Sequence, residues 1–265
     1  MLLFAKVPFR VLFVGLFLWP MSVLADPARV VLLIDDLGFQ YELDQTVLQL
    51  DPRVNVAIIP GTPGARRLGQ KAYEQGRGVL IHLPLSGLGH DDCDSGLLQC
   101  LDADWSGYRM DAFLETAFGE VPSAIGVNNH QGSRFTAEYE AVVNLVASIQ
   151  RLGQRQGRAL LVLDSRTTPQ SRLESAGLSA GLPTLRRHVF LDHQDDLQSI
   201  ESAWKQLIDR ARRDGMAVGI GHPRATTLAF LDQALRELDD DLVLINLSEM
   251  PQPSWHTHSN SRPGP

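Results

Sequence analysis

Six side chains that can bind a metal or move a proton share one kind of position in this sequence. Asp35, Asp36, His82, His130, Asp164 and His222 each stand at or just past the C-terminal end of an apolar run. Of the eight histidines, His256 and His258 lie in the C-terminal tail, and three of the other six occupy such ends. Imidazole together with carboxylate is the ligand set of zinc or a similar divalent ion. Asp36, His82 and His130 would supply three protein ligands and leave a fourth position for water, whose pKa such an ion lowers towards ~7 while it polarises a carbonyl. Asp35 would then accept a proton, and His222 would protonate a leaving amine. Asp164 would orient His222 or add a further ligand. Each residue also has a plainer reading. One of the paired aspartates can cap the helix that follows, and a single histidine at a strand end is more often a packed or loop residue than a ligand. The shared address of all six favours chemistry.

Residues so far apart can meet only if the elements that carry them run side by side. The run Val30–Ile34 does not alternate with polar residues, which is the pattern of a strand buried on both faces, as in a parallel sheet. It leads directly into Asp35, Asp36, Leu37 and Gly38. Alternation along the strand sends the two aspartates in different directions, so one can hold a metal while its neighbour faces a substrate. Similar runs are VNVAIIPG (54–61), RGVLIHLPL (77–85), AIGVNN (124–129), ALLVLD (159–164), RHVFLD (187–192), MAVGIG (216–221) and LVLINLSEM (242–250). Between them, helical spacing or length predicts helices over 39–50, 63–75, 110–118, 137–154, 171–180, 197–213 and 226–238. About eight strands alternating with helices, with no break in composition, make residues 26–250 one α/β domain. In a barrel of parallel strands the C-terminal ends converge on one face, where barrel enzymes carry their sites.

Composition narrows the partners. The chain has 265 residues, 44% hydrophobic and 21% charged, with a net charge of −7. That balance gives no reason to expect nucleic acid or an anionic membrane surface, and it suits a neutral substrate and a bound cation. Lys6 and Arg10 precede an apolar run over Val11–Trp19, and Val23-Leu24-Ala25 offers a small residue at a cleavage position, so residues 1–25 read as a secretory signal. An uncleaved anchor is the alternative. The run is short of the ~20 residues of a full span and Pro20 interrupts it, which favours cleavage and a periplasmic or extracellular product without stable membrane insertion. Cys93 and Cys100 bracket a short loop, where an exported chain can hold a disulfide; two free thiols or soft metal ligands are the other readings. Residues 251–265, rich in Pro, Ser and His, are expected to be disordered. No GxSxG elbow, P-loop or dinucleotide fingerprint occurs, so serine-nucleophile and phosphate-cradling chemistry have no motif to stand on.

The segments IDDLG (34–38), HLPL (82–85), NNHQGSRFT (128–136), LDSRTT (163–168), VFLD (189–192) and IGHPRATTL (220–228) resemble, in order, those of the divergent polysaccharide deacetylases, relatives of the carbohydrate esterase deacetylases. The resemblance spans residues 29–250. It implies a distorted (β/α) barrel, a divalent metal such as zinc, Asp36 as a ligand and Asp35 as the base. It also implies hydrolysis of acetyl groups on an envelope or other polysaccharide. The better-known deacetylases take both histidine ligands from one H-x-x-x-H segment. This chain has no such pair in the barrel, and His82 and His130 come from separate strands. Leu85 and Gln131 stand where this branch usually has Met. Two further readings remain: a module that binds glycan or an envelope protein without catalysis, and a glycoside hydrolase using Asp35 with Asp164.

Overall fold

The structure is a computed structural model that describes residues 26–250 apart from 90–92, 94–95 and 97. The expected leader (1–25) and tail (251–265) lie outside the described residues. In chain order the elements are β1 (Ala28–Leu37), α1 (Tyr41–Val47), β2 (Asn55–Ile58), α2 (Ala65–Glu74), β3 (Val79–Leu85), α3 (Gly107–Glu120), β4 (Gly126–Gln131), α4 (Tyr139–Gln156), β5 (Leu161–Asp164) and α5 (Leu173–Ser179). They continue with β6 (Thr184–Arg186), β7 (Val189–Phe190), α6 (Leu197–Asp214), β8 (Met216–Gly221), α7 (Ala225–Arg236) and β9 (Leu242–Leu244). Two differences from the sequence reading stand out. The strand expected over 187–192 is reduced to Val189–Phe190 and preceded by an unexpected one at Thr184–Arg186, and the run from Leu242 to Met250 is a strand for three residues only, followed by a 3-10 turn at Leu247–Glu249. Asn246 stops that strand by capping the turn with its side chain, which accepts from Ser248 N.

The sheet is parallel, in the order β6-β5-β4-β3-β2-β1-β8-β7, with β9 paired to β1 beside the N-terminal half of that strand. Its two edges, β6 and β7, are separated by Arg187 and His188 alone. Two residues span less than roughly 12 Å, so the sheet must curl until its edges meet. The link is stitched on both sides. Arg187 N donates to Asp164 O of β5, and His188 N donates to Val218 O of β8. The result is the distorted (β/α) barrel that the sequence implied, with every strand end at one rim.

Alternation along the strands sorts the core into two layers. Val30, Leu32 and Ile34 face outward and join the large cluster made with the helices, such as Leu145 and Ile149 of α4 and Leu207 and Ala211 of α6. Val31, Leu33, Leu80, Leu161, Leu163, Val218 and Ile220 face inward and form a smaller cluster inside the curl. Continuing the inward set by two residues at each strand end leads to Asp35, His82, Ser165 and His222. The polar site therefore sits directly on the inner apolar plug.

Cys93 and Cys100 form a disulfide, with Cα atoms 5.5 Å apart, in the long connection between β3 and α3. Among the described residues no helix is long and apolar enough to cross a membrane.

The seam between β7 and β8 carries a titratable group. His188 Nδ1 accepts a hydrogen bond from Val218 N at 3.0 Å, which only an unprotonated nitrogen can do. Burial, with Arg210 and Arg186 nearby, pushes His188 down to about 4. The unfolded chain takes up this proton near 6.5 and the folded chain resists it. The stabilisation is therefore complete above about pH 6.5 and is lost as pH falls through about 4. In His188→Asn the amide oxygen can accept the same bond without titrating. Urea unfolding at neutral pH and near pH 4 should show the wild type losing about 1–3 kcal/mol more stability than the variant over that interval. Equal losses would contradict the assignment.

Candidate active site

Asp35 and Asp36 end β1 at an irregularity, where the pairing of β1 with β2 shifts register between Ile34 and Leu37. Asp36 has a left-handed backbone (φ 60°). The extra residue turns Asp36, whose place in the alternation would be outward, back towards the rim. Both carboxylates consequently reach the same imidazole: His82 Nε2 lies 3.0 Å from Asp36 Oδ1 and 3.7 Å from Asp35 Oδ2. The opposite orientations expected from simple alternation are not what the strand adopts. Gly38, at φ 128°, makes the exit from this bulge possible, because any side chain there would overlap Thr62.

His130, from the end of β4, places Nδ1 2.9 Å from the same Asp36 oxygen. The rings of His82 and His130 meet edge to face with centroids 4.9 Å apart. Asp36, His82 and His130 each bring one ligand atom within 4.8 Å of the others. One hard oxygen and two imidazole nitrogens, converging from three strands, fit a divalent ion of the zinc type. Burial works to raise Asp36, but hydrogen bonds from His130 and His82 outweigh it and hold the carboxyl far below its usual range.

Asp35 is treated differently by its surroundings. It is 2% exposed, and burial pushes its pKa up despite the attraction of His82 and His222 and a hydrogen bond from Asn128. That bond, Asn128 Nδ2 to Asp35 Oδ1, measures 2.8 Å. Asn128 also meets His82 Nδ1 through its Oδ1 at 3.0 Å and Ser165 Oγ through its Nδ2 at 3.1 Å.

His222, at the end of β8, approaches from the far side, with Nε2 3.7 Å from Asp36 Oδ2. Its partner is Asp192, not Asp164. Asp192 Oδ1 lies 2.9 Å from His222 Nδ1, while Asp192 Oδ2 accepts from His222 N (2.7 Å) and Thr227 Oγ1 (2.9 Å). Burial lowers His222, but the bond to Asp192 and the fields of Asp35 and Asp36 overcome it, and the net shift is upward. The orienting role expected of Asp164 fails for a geometric reason. Asp164 follows Val162 on the outward set of β5, and its oxygens are taken by Arg166 N, Ser171 Oγ and Glu174 N. It pins the loop after β5 rather than lining the site.

The cleft over these residues holds about 460 Å³ and is also walled by Asn129, Gln131, Arg166, Thr167, Arg187, Phe190 and His193. Phe190 packs edge-on against His222 at 5.1 Å, and the Arg187 guanidinium lies over its ring at 4.9 Å.

A model of the divergent polysaccharide deacetylases matches residues 32–250, which include every residue named at this site. The chain belongs to the divergent polysaccharide deacetylase family. Two relatives are an uncharacterized protein of Haemophilus influenzae, 33% identical over 84% of this chain and 76% of that one, and the uncharacterized protein YibQ of Escherichia coli, 30% identical over 84% and 67%. The crystal structure of an uncharacterized Agrobacterium tumefaciens protein shares the fold at a TM-score of 0.76 and 24% identity, covering 84% of this chain and 89% of that one.

In this member of the family the sequence marks Asp35, Asp36, His82, His130 and His222, and the fold brings all five together. Sequence reasoning gave no role to Asp192 or Asn128. Asp192 ends the apolar run 187–192 just as Asp164 ends 159–164, and Asn128 stands two residues before His130, in phase with it. The exchange of Asp164 for Asp192 is testable by following the His222 ring through a pH titration by NMR. Asp192→Asn should lower the His222 pKa from its raised position, whereas Asp164→Asn should leave it unmoved. The reverse pattern would restore Asp164 as the partner.

Proposed function

We propose that this protein is an exported, metal-dependent hydrolase that removes acetyl groups from an envelope or other polysaccharide, with zinc as the metal. The observation that carries the reading is the unequal treatment of two adjacent aspartates. Asp36 is drawn into the pair of imidazoles, while Asp35, next in the chain, is held apart by Asn128 in a buried position. A divalent ion at Asp36, His82 and His130 would supply a Lewis acid for water activation and carbonyl polarisation.

The protein's own groups divide the rest of the work. Asp35 accepts the proton of the attacking water, and its upward shift makes it the stronger base of the two carboxylates. His222, held as the charged form by Asp192, delivers a proton from Nε2 to the leaving nitrogen or oxygen. Phe190 and Arg187 fix one wall of the cleft, which restricts how His222 can turn. The leader read over residues 1–25 supports export to the periplasm or beyond. A glycoside hydrolase needs two carboxylates placed across the scissile bond. Asp164 is already committed to its own loop, which leaves Asp35 without the second carboxylate that reading required.

The test is acetate release from a panel of acetylated oligosaccharides by the zinc-loaded protein. Asp35→Asn should keep the metal and lose turnover by ~10²-fold or more. His82→Ala and His130→Ala should lose the metal. The rate should rise with pH as Asp35 gives up its proton and fall as His222 gives up its own, with the alkaline limb above the ordinary histidine value of 6.5. Asp192→Asn should move that limb to lower pH. A metal-loaded wild type that releases no acetate from any substrate, yet binds glycan or an envelope protein, would replace this reading with the binding-module one.

A further inference from the structure

We propose that Asn128 is the positioning residue that assigns the two aspartates their different parts, by fixing the tautomer of His82 with one end of its amide and tethering Asp35 with the other. The inference rests on the metal-dependent reading above, and it begins from what a carboxylate can do. Ionised Asp35 only accepts hydrogen bonds. The Asn128 atom 2.8 Å from Asp35 Oδ1 must therefore be the amide nitrogen, since an oxygen there would repel it. The same NH2 donates its second hydrogen to Ser165 Oγ at 3.1 Å, so both amide hydrogens are used. Oδ1 is thereby turned towards His82 Nδ1, 3.0 Å away, where it can only accept. Nδ1 of His82 must carry the hydrogen. Nε2 faces Asp36 Oδ1 at 3.0 Å and donates to it when no metal is bound; an ion would take the place of that proton, while Nδ1 keeps its own. A metal-binding histidine held through its other ring nitrogen in this way has its orientation and tautomer fixed.

Asn128 is fully buried and sits on the inward set of β4, at the centre of this chain of bonds. No other natural residue of its size can both accept from His82 and donate to Asp35. An aspartate keeps the first bond and loses the second, which places a like charge beside Asp35. A leucine, of similar volume, loses both.

The experiment compares wild type, Asn128→Asp and Asn128→Leu by three measurements: the ¹⁵N spectrum of the His82 ring in metal-free and in zinc-loaded protein, zinc affinity by chelator competition, and acetate release. Circular dichroism first establishes that each variant is folded. The wild type should show Nδ1 protonated in both forms. Asn128→Leu should weaken zinc by ~10–100-fold, the usual consequence of losing an outer partner of a ligand. Asn128→Asp should keep zinc affinity within about threefold, well inside that range, and still lose turnover by ~10²-fold, as expected when a general base is displaced. The proposal is overturned by a wild-type spectrum with Nδ1 bare, by undiminished zinc affinity in folded Asn128→Leu, or by full turnover in Asn128→Asp. If Asn128→Leu does not fold, the wild-type spectrum and Asn128→Asp decide. If the wild type binds no zinc and releases no acetate, the hydrolase reading fails separately, and the ¹⁵N spectrum still rules on the tautomer.

Discussion

Everything at the rim depends on the backbone of Asp36. A left-handed conformation at a residue other than glycine costs on the order of 1–2 kcal/mol, and the chain accepts it at the point where β1 leaves the sheet. Without it, Asp36 would follow Ile34 to the outer face, among the helices, where an unpaired carboxylate is far more costly than a twisted backbone. With it, Asp36 receives His82 and His130 within 3.0 Å. The bonds from the two imidazoles offset the strain, and the same turn leaves Asp35 alone on the inward set. One local distortion thus separates two identical side chains into one that meets the imidazoles and one that Asn128 holds back.

The other left-handed residues outside glycine follow the same logic. Among the described residues they are Gln131, the last residue of β4, and Arg166, two positions past β5, both at this rim. Gln131 comes directly after His130, and its carbonyl accepts from Asn129 Nδ2 and Thr167 Oγ1. Arg166 is clamped from both sides, its N–H by Asp164 and its carbonyl by Arg187. Strain of this kind persists only where the surroundings over-determine the backbone. Asp164 is therefore important to the site without belonging to it: it spends a fully buried carboxylate on holding the loop that walls the cleft.

Much of this was legible in the sequence. Unalternating apolar runs with polar ends located the strands and their common rim, because burial on both faces leaves no room for a polar residue until the strand stops. The strand-end rule does not distinguish inward from outward positions, so it offered Asp164 as the partner of His222 and gave Asp192 no role. Counting by twos from the apolar inner residues, Leu161 and Leu163 lead to Ser165, and Val218 and Ile220 lead to His222. Asp164 falls on the other set. The bulge at Asp36 breaks that count, and its only local sign is the glycine two residues later. The short strand β6 ahead of the expected run 187–192 was equally hidden, since Thr184–Arg186 carries no apolar run and becomes a strand by pairing with β5. Asn128 was visible only as a neighbour of His130, because its part depends on two partners 46 and 93 residues away.

The central claim is that the fold gathers Asp36, His82 and His130 from three strands into one metal site. X-ray absorption spectroscopy of the zinc-loaded protein tests it most directly. The account predicts first-sphere oxygen and nitrogen at roughly 2.0–2.1 Å, with the outer-shell scattering of two imidazoles and no sulfur. A spectrum with sulfur at about 2.3 Å, or without imidazole scattering, would contradict it.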